Sequence, residues 1–485
     1  MHPEIRFQYP RQSGLIWSII DNNMFKGGSL MKAFDTENSA WSRFSAEQRY
    51  QMETYSNQYR QFLDTARTER LANKEILRQA KEAGFKPLSD YTSLKAGDKV
   101  YWDQKGKSVI LAVIGSSPIA EGLKIVGSHI DCPRLDVKAI PVIEQDKIVY
   151  LKTHYYGGVL KYQWVCMPLS LIGVVYKADG TRIDVSIGED PNDPVLFIND
   201  LLPHLGKDQA AKKLSEAISG EMLMPLVGIH TEEEKTKPAI LTLLKEKYDI
   251  EEEDFTSAEL EIIPAVKSRD VGLDRSMIMS HGHDDRVCSY ANLAAILDAK
   301  AGAKTQVALF ADKEEIGSVG NTGVQSSYFP DFIAELLALQ NHPEEIWLRR
   351  TMRNSEVLSA DVSAAFDPVF ADAYEKQNSA QLGYGICLCK YTGARGKGGS
   401  NDANAEFMAK IRSIFNENEV PWQVGELGKV DQGGGGTIAY IMADWGCDVV
   451  DCGVAMHSMH APLEIVAKAD AYSGYLAYKA FFESK

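Results

Sequence analysis

The sequence predicts an α/β fold interrupted by a mainly β insertion, and three observations predict it. After Ser268 helical and strand-like segments alternate, which is the mark of a sheet covered by helices. From about residue 138 to 268 the pattern instead gives short alternating strands, such as those over 147–151 and 182–187. At 485 residues the chain is longer than one hydrophobic core usually supports, so two domains are expected.

In chain order, residues 1–30 read as an N-terminal extension of unassigned role. The first part of the larger domain spans 31–137. It holds a long helical pattern from about residue 45 to 83, then a short strand, Lys124-Ile125-Val126, that delivers Gly127-Ser128-His129-Ile130-Asp131. The insertion spans 138–268 and includes a highly charged loop region over 232–254. The second part, 269–485, carries a helix over 289–299, a buried strand over 307–310, a helix over 402–418 and a strand over 448–450.

Composition narrows the function. With 52 Lys plus Arg against 67 Asp plus Glu, the formal charge is −15, which argues against nucleic acid or an anionic membrane as partner. No apolar run approaches the roughly 18–20 residues of a membrane span. Gly14-Leu15-Ile16-Trp17-Ser18-Ile19-Ile20 is too short for a signal-peptide core, and Asp21 follows at once. The seven scattered cysteines form neither a disulfide framework nor a zinc-finger spacing. A cytoplasmic protein with reduced thiols is the expectation.

The chemistry concentrates where strands end. Glu314-Glu315 leave the apolar run Val307-Ala308-Leu309-Phe310, and a charged doublet there is costly unless a cation meets it. His129 and Asp131, Asp284-Asp285, Asp361 and His460 also follow strand-like segments. The carboxyl ends of strands in an open α/β sheet share one crevice, so these positions can meet. Taken singly, a histidine is more often structural, an aspartate doublet can cap a helix and Asp361 can be a turn residue; the combination is what points to a site. Two imidazoles plus several carboxylates suit zinc, cobalt or manganese better than calcium or magnesium. A dinuclear site needs a bridging carboxylate and a free one to take a proton from water. Glu315 as ligand with Glu314 as base fits, although adjacency alone does not say which is which. Asp131 is suited to holding His129 in one tautomer.

At these residues the chain resembles the M18 metallo-aminopeptidases, which include the aspartyl aminopeptidases. The matching segments are Ser128-His129-Ile130-Asp131-Cys132-Pro133-Arg134, Tyr156-Gly157-Gly158, His283-Asp284-Asp285-Arg286, Asp312-Lys313-Glu314-Glu315-Ile316-Gly317, Ser359-Ala360-Asp361 and Ser458-Met459-His460-Ala461-Pro462-Leu463-Glu464. The resemblance implies a mixed-sheet α/β metallopeptidase domain with an inserted, mainly β dimerisation domain. It implies two divalent ions, zinc first, held by His129, Asp284, Glu315, Asp361 and His460 with Asp284 bridging. Glu314 would be the base and Asp131 the support of His129. The family pattern of a histidine four residues before a glutamate selects His460 over His457, and Asp285 ranks below Asp284. A homo-oligomer, a dodecamer built from dimers, is also implied.

Three further features bear on substrate. Gly433-Gly434-Gly435-Gly436 lacks a Walker ending, so nucleotide binding is rejected; Gly434 is assigned to close approach of backbone to substrate, against a plain flexible turn. Lys390 opens a basic loop and matches a family lysine facing acidic side chains, while a solvated loop is the alternative. His204, in Leu202-Pro203-His204-Leu205, matches a segment that the family offers to a partner's active site; a structural histidine is the alternative.

The expected activity is therefore release of N-terminal residues, acidic or neutral, from peptides. A dinuclear carboxypeptidase or deacylase on the same scaffold is the rival, with Arg286 or Lys390 gripping a carboxylate. A non-catalytic shell protein would lack a ligand or the base, and none is missing.

Overall fold

The helical pattern over residues 45–83 folds as two helices, Ala46–Thr65 and Glu69–Glu82. Ser45 caps the first in a reciprocal box with Gln48. Thr68 caps the second, and Arg67 between them is buried in an ion pair with Glu189. A fresh cap and a buried guanidinium thus break what apolar spacing alone carries through. The computed structural model describes residues 37–229 and 236–485, and the extension read over 1–30 lies outside them.

Among the described residues nine strands form the central sheet. Their spatial order is Lys86–Pro87, Lys99–Gln104, Ser108–Val113, Thr305–Ala311, Leu123–His129, Glu356–Ser359, Asp448–Gly453, Ile386–Cys389 and Trp422–Val424. The four from Thr305–Ala311 to Asp448–Gly453 run parallel, and antiparallel neighbours flank them, so the sheet is mixed. Both faces are buried, which explains the near-continuous apolar runs. Val126, Ala308, Phe310, Leu358 and Val450 face a core shared with helices His283–Asp298, Ala405–Glu417 and Lys468–Glu483. The alternate residues Ile125, Val307, Leu309, Val357 and Val449 face Tyr328–Ala338 and Ala439–Asp444 on the other side.

Among the described residues of 134–264, seven strands make a second sheet with its own core around Leu135, Trp164, Leu169 and Ile262. Ala258–Pro264 pairs with both Arg134–Gln145 and Pro168–Tyr176, which closes this sheet into a barrel-like form. The charged region over 232–254, expected as loop, is corrected in part. Thr236–Tyr248 is a helix, because Ile240, Leu241, Leu244 and Tyr248 recur on one side and pack on that core. A third sheet, of five strands among the described residues, includes Met277–Ser280, Ala455–His457 and Glu464–Ala467. No helix among the described residues is long and apolar enough to cross a membrane.

Side-chain hydrogen bonds tie the buried helix His283–Asp298 to the strand that ends at His129. Ser289 Oγ donates to the His129 carbonyl at 2.7 Å, and Asn292 Nδ2 donates to that of Val126 at 2.9 Å. Asp448–Gly453, two strands along the sheet, is fitted as closely: a Cβ on Gly453 would stand 1.6 Å from the Asp361 carbonyl oxygen. Gly453→Ala should therefore destabilise the protein by at least about 1–3 kcal/mol, read as a lower thermal midpoint in calorimetry. An unchanged midpoint would contradict this packing.

Candidate metal centre

Parallel register brings the predicted residues together. His129 closes the strand Leu123–His129, opposite Ala311, and Glu314-Glu315 form a 3-10 turn just beyond Ala311. Asp361 lies two residues past the adjoining strand Glu356–Ser359. Asp284 sits at the mouth of the helix His283–Asp298, where the Asp284–Asp285 peptide is cis. His460 lies in the turn between Ala455–His457 and Glu464–Ala467. The carboxyl ends of the parallel strands thus open on one crevice.

Asp284 stands between the two imidazoles. Its Oδ1 is 3.2 Å from His129 Nε2 and its Oδ2 is 3.1 Å from His460 Nε2. Glu315 Oε2 lies 3.5 Å from His460 Nε2, while Asp361 Oδ1 and Glu314 Oε2 lie 3.8 and 3.9 Å from His129 Nε2. His129 Nδ1 faces the Asp131 carbonyl at 3.1 Å and His460 Nδ1 faces the Gly158 carbonyl at 2.9 Å. With each Nδ1–H donated to a carbonyl, both Nε2 lone pairs point into the crevice.

Three more buried carboxylates hold the main chain of this group. Asp131 accepts from Glu314 N at 3.1 Å, from Glu315 N at 3.2 Å and from the Tyr156 hydroxyl at 2.8 Å. Glu464 accepts from Asp284 N at 3.1 Å and from His460 N at 2.7 Å. Asp285 Oδ2 accepts from His129 N at 3.2 Å. Sequence reading left Tyr156 and Glu464 without roles and ranked Asp285 low. Their signal, a side chain bonded to a group far away in the chain, the Asp131 carboxylate for Tyr156 and a backbone N–H for Asp285 and Glu464, is not written in local spacing.

The donor set fits divalent cations. Burial and then the Asp361 charge push Glu314 far above the usual carboxylic range, and burial with Asp284 does the same to Glu315. Glu315 Oε1 and Asp285 Oδ1 are buried with no hydrogen-bond partner. Among the described residues, two groups could each hold an ion: His129, Asp284 and Glu315, and His129, Asp285 and Asp361. Imidazole with carboxylate is a zinc-type donor set. A cation here would relieve the mutual repulsion of Asp284, Glu314, Glu315 and Asp361, which among the described residues form ion pairs with the two histidines and with no Lys or Arg.

The crevice opens into a cleft of about 710 Å³ whose wall includes Asp284, Glu314, Glu315, Asp361, Cys389, Gly434, Asp451, Met459 and His460. Gly434 has φ +140°, and a Cβ on it would stand 2.3 Å from Ala394 Cα, so only glycine fits where the wall is this thin. Lys390 is not part of the wall: it is exposed and its Nζ pairs with Asp402. His204 is exposed in the turn Pro203–Leu205, also away from the wall. His457 Nε2 bonds the Phe366 carbonyl at 3.1 Å, apart from the carboxylates.

A two-histidine, carboxylate-rich centre at the strand ends of a helix-covered mixed sheet defines a metallohydrolase. The family model described as aminopeptidase I zinc metalloprotease (M18) matches residues 62–482, and the chain belongs to this family. It is a metallo-aminopeptidase, a hydrolase acting on peptide bonds. A protein of Clostridium acetobutylicum named "Probable M18 family aminopeptidase 1" is 48% identical over 455 residues, which span 92% of this chain and 98% of that one. The crystal structure of an M18 family aminopeptidase from Thermotoga maritima aligns with TM-score 0.89 at 43% identity, covering 94% of this chain and 100% of that one. That of aminopeptidase I from Clostridium acetobutylicum gives TM-score 0.87 at 45% identity, with 94% and 100% covered.

Tyr156 is the only side chain besides His129 seen to contact the Asp131 carboxylate among the described hydrogen bonds, and the Arg134 guanidinium lies 3.9 Å from its ring centroid. Tyr156→Phe keeps the ring and removes the donor. Activity or zinc affinity should fall about 10- to 100-fold, measured as kcat/KM and as bound zinc after dialysis. Unchanged values in both would remove Tyr156 from the support of the centre.

Proposed function

We propose that this aminopeptidase is dinuclear and prefers peptides with a free, neutral N-terminal residue. The observation that carries the reading is the make-up of the cleft wall: it is rich in carboxylates, and among the described residues lining it none is Lys or Arg. Carboxylates that do not hold an ion attract a terminal ammonium, and a wall without Lys or Arg supplies no side chain to grip a substrate carboxylate. Arg286 is buried away from the wall and Lys390 is neutralised by Asp402, which disfavours both the carboxypeptidase or deacylase rival and an acidic side-chain pocket. Val362, Leu427 and Met459 on the wall suit an apolar side chain instead.

In this reading His129, Asp284, Glu315, Asp361 and His460 would hold two divalent ions, zinc with cobalt or manganese as substitutes, with Asp284, which stands between the two imidazoles, as the shared ligand. Bound there, the ions supply Lewis-acid polarisation of the scissile carbonyl and acidify water. Glu314 takes a proton from the attacking water and passes it to the leaving amine. Asp131 keeps the His129 Nε2 lone pair directed inward. The insertion over 138–268 serves as the dimer contact of a larger homo-oligomer, a dodecamer built from dimers. Exposed Leu201, Leu202, Leu205 and Leu214 support that, and His204 among them reaches toward a neighbouring cleft. Seven free thiols suit a reducing, cytoplasmic setting.

Hydrolysis of leucyl and aspartyl anilides with free α-amines tests the reading. Chelation should abolish cleavage, zinc or cobalt should restore it, and the leucyl substrate should be the better one. A better aspartyl substrate would return Lys390 to the specificity pocket, and cleavage of acyl amino acids alone would favour the rival. Glu314→Gln should bind zinc as the parent does and lose about 10²- to 10⁴-fold in kcat. Most of the parent rate in that variant would exclude Glu314 as the base.

A further inference from the structure

The wall of the cleft carries a second cluster of donors that the hydrolytic reading does not use. Cys387 and Cys389 lie two apart on the strand Ile386–Cys389, so both side chains project to the same face of the central sheet. Their sulfurs are 3.6 Å apart, far longer than a disulfide and within reach of one shared atom. An atom bonded to two sulfurs at about 2.3 Å, with an angle of about 100–110°, sets them roughly 3.5–3.8 Å apart. The pair is thus already spaced for a two-sulfur chelate.

The two thiols differ in access. Cys389 lines the cleft, beside Ser363, whose Oγ is 3.5 Å from its sulfur, and it pairs across the ladder with Asp451, also on the wall. Cys387 is fully buried, and Gly425 closes over it: a Cβ there would come within 2.7 Å of its sulfur. Cys387 is therefore reached by way of Cys389. Cys452 on the neighbouring strand pairs with Leu388 and faces the opposite side.

We propose that Cys387 and Cys389 form a dithiol site for a soft, thiophilic centre, with a trivalent organoarsenical as the fitting case, and that its occupation obstructs the substrate cleft. With phenylarsine oxide, C6H5As=O, Cys389 bonds to arsenic first and Cys387 second. Two As–S bonds form, the As=O bond is lost, and its oxygen leaves as water with the two thiol protons. Arsenic stays trivalent, so no oxidant or reductant is required. A five-donor zinc-type centre with hard carboxylates does not compete for such a centre, whereas a dithiol does.

The test treats the full-length zinc-loaded enzyme with phenylarsine oxide. Native mass spectrometry should find one C6H5As unit per chain in place of two hydrogens, and proteolytic mapping should place it across Cys387 and Cys389. Leucyl anilide hydrolysis should fall at least 10-fold, with zinc content unchanged, and 2,3-dimercaptopropanol should restore it where the same concentration of a monothiol does not. Cys387→Ala, which lies off the cleft wall, should hydrolyse the anilide normally and resist the arsenical. An adduct mapped to other cysteines, no bridging adduct on the folded wild-type chain, or a bridged pair with full activity would each overturn the proposal. Mapping on the wild-type chain decides the site even if the alanine variant does not fold. The mass readout is independent of hydrolysis, so failure of the aminopeptidase reading and failure of the dithiol site are told apart.

Discussion

Mutual repulsion among buried carboxylates is the constraint on which the centre depends. Asp284, Glu314, Glu315 and Asp361 converge on two imidazoles within hydrogen-bonding or near hydrogen-bonding distance. Nothing in their own charge favours that arrangement. It is held instead by main-chain anchoring: Asp131, Asp285 and Glu464 together accept the backbone N–H groups of His129, Asp284, Glu314, Glu315 and His460. Each such hydrogen bond contributes about 0.5–1.5 kcal/mol, and more where the acceptor is ionised, and together they pin five backbone positions. Glu464 illustrates the strain of doing so, since burial and then Asp284 push it up to about 8.

Anchoring also fixes chemistry at a distance from the crevice. Asp131 is reached by Tyr156 from the barrel-like sheet, and Gly158 of the same segment receives the His460 Nδ1–H. The strand Ile148–Tyr156 and the turn after it thus touch both imidazole-bearing segments of the centre. Glycine is needed there because side chains crowd in: a Cβ on Gly158 would lie 3.1 Å from His460 Nδ1, and one on Gly157, at φ +75°, would lie 3.2 Å from Glu315 Oε2.

The cleft adds a division of labour between hard and soft donors. Carboxylates and imidazoles occupy the ends of the parallel strands, while two thiols occupy the adjoining antiparallel strand one step along the sheet. Hard and borderline cations belong to the first set and thiophilic centres to the second. The absence of Lys and Arg among the described lining residues leaves an acidic wall whose natural complement is a cation.

The amino-acid sequence by itself determined the α/β class, the strands that end at His129 and before Glu314, and the residue types able to hold metal. These are local properties: apolar runs, their period and the polar residue that follows. Other features belong to tertiary structure alone. The break at Arg67 depends on Glu189, more than a hundred residues away, and the helix Thr236–Tyr248 forms because a barrel-like core covers its apolar side. That Lys390 pairs with Asp402 and does not line the cleft is likewise a tertiary fact with no local signal. The hold of Asp285 on His129 N and of Glu464 on Asp284 N was equally hidden, because a side chain that accepts a backbone N–H 156 or 180 residues away leaves no periodic trace. Spacing encodes which face a residue takes, and only the packed sheet decides what it meets there.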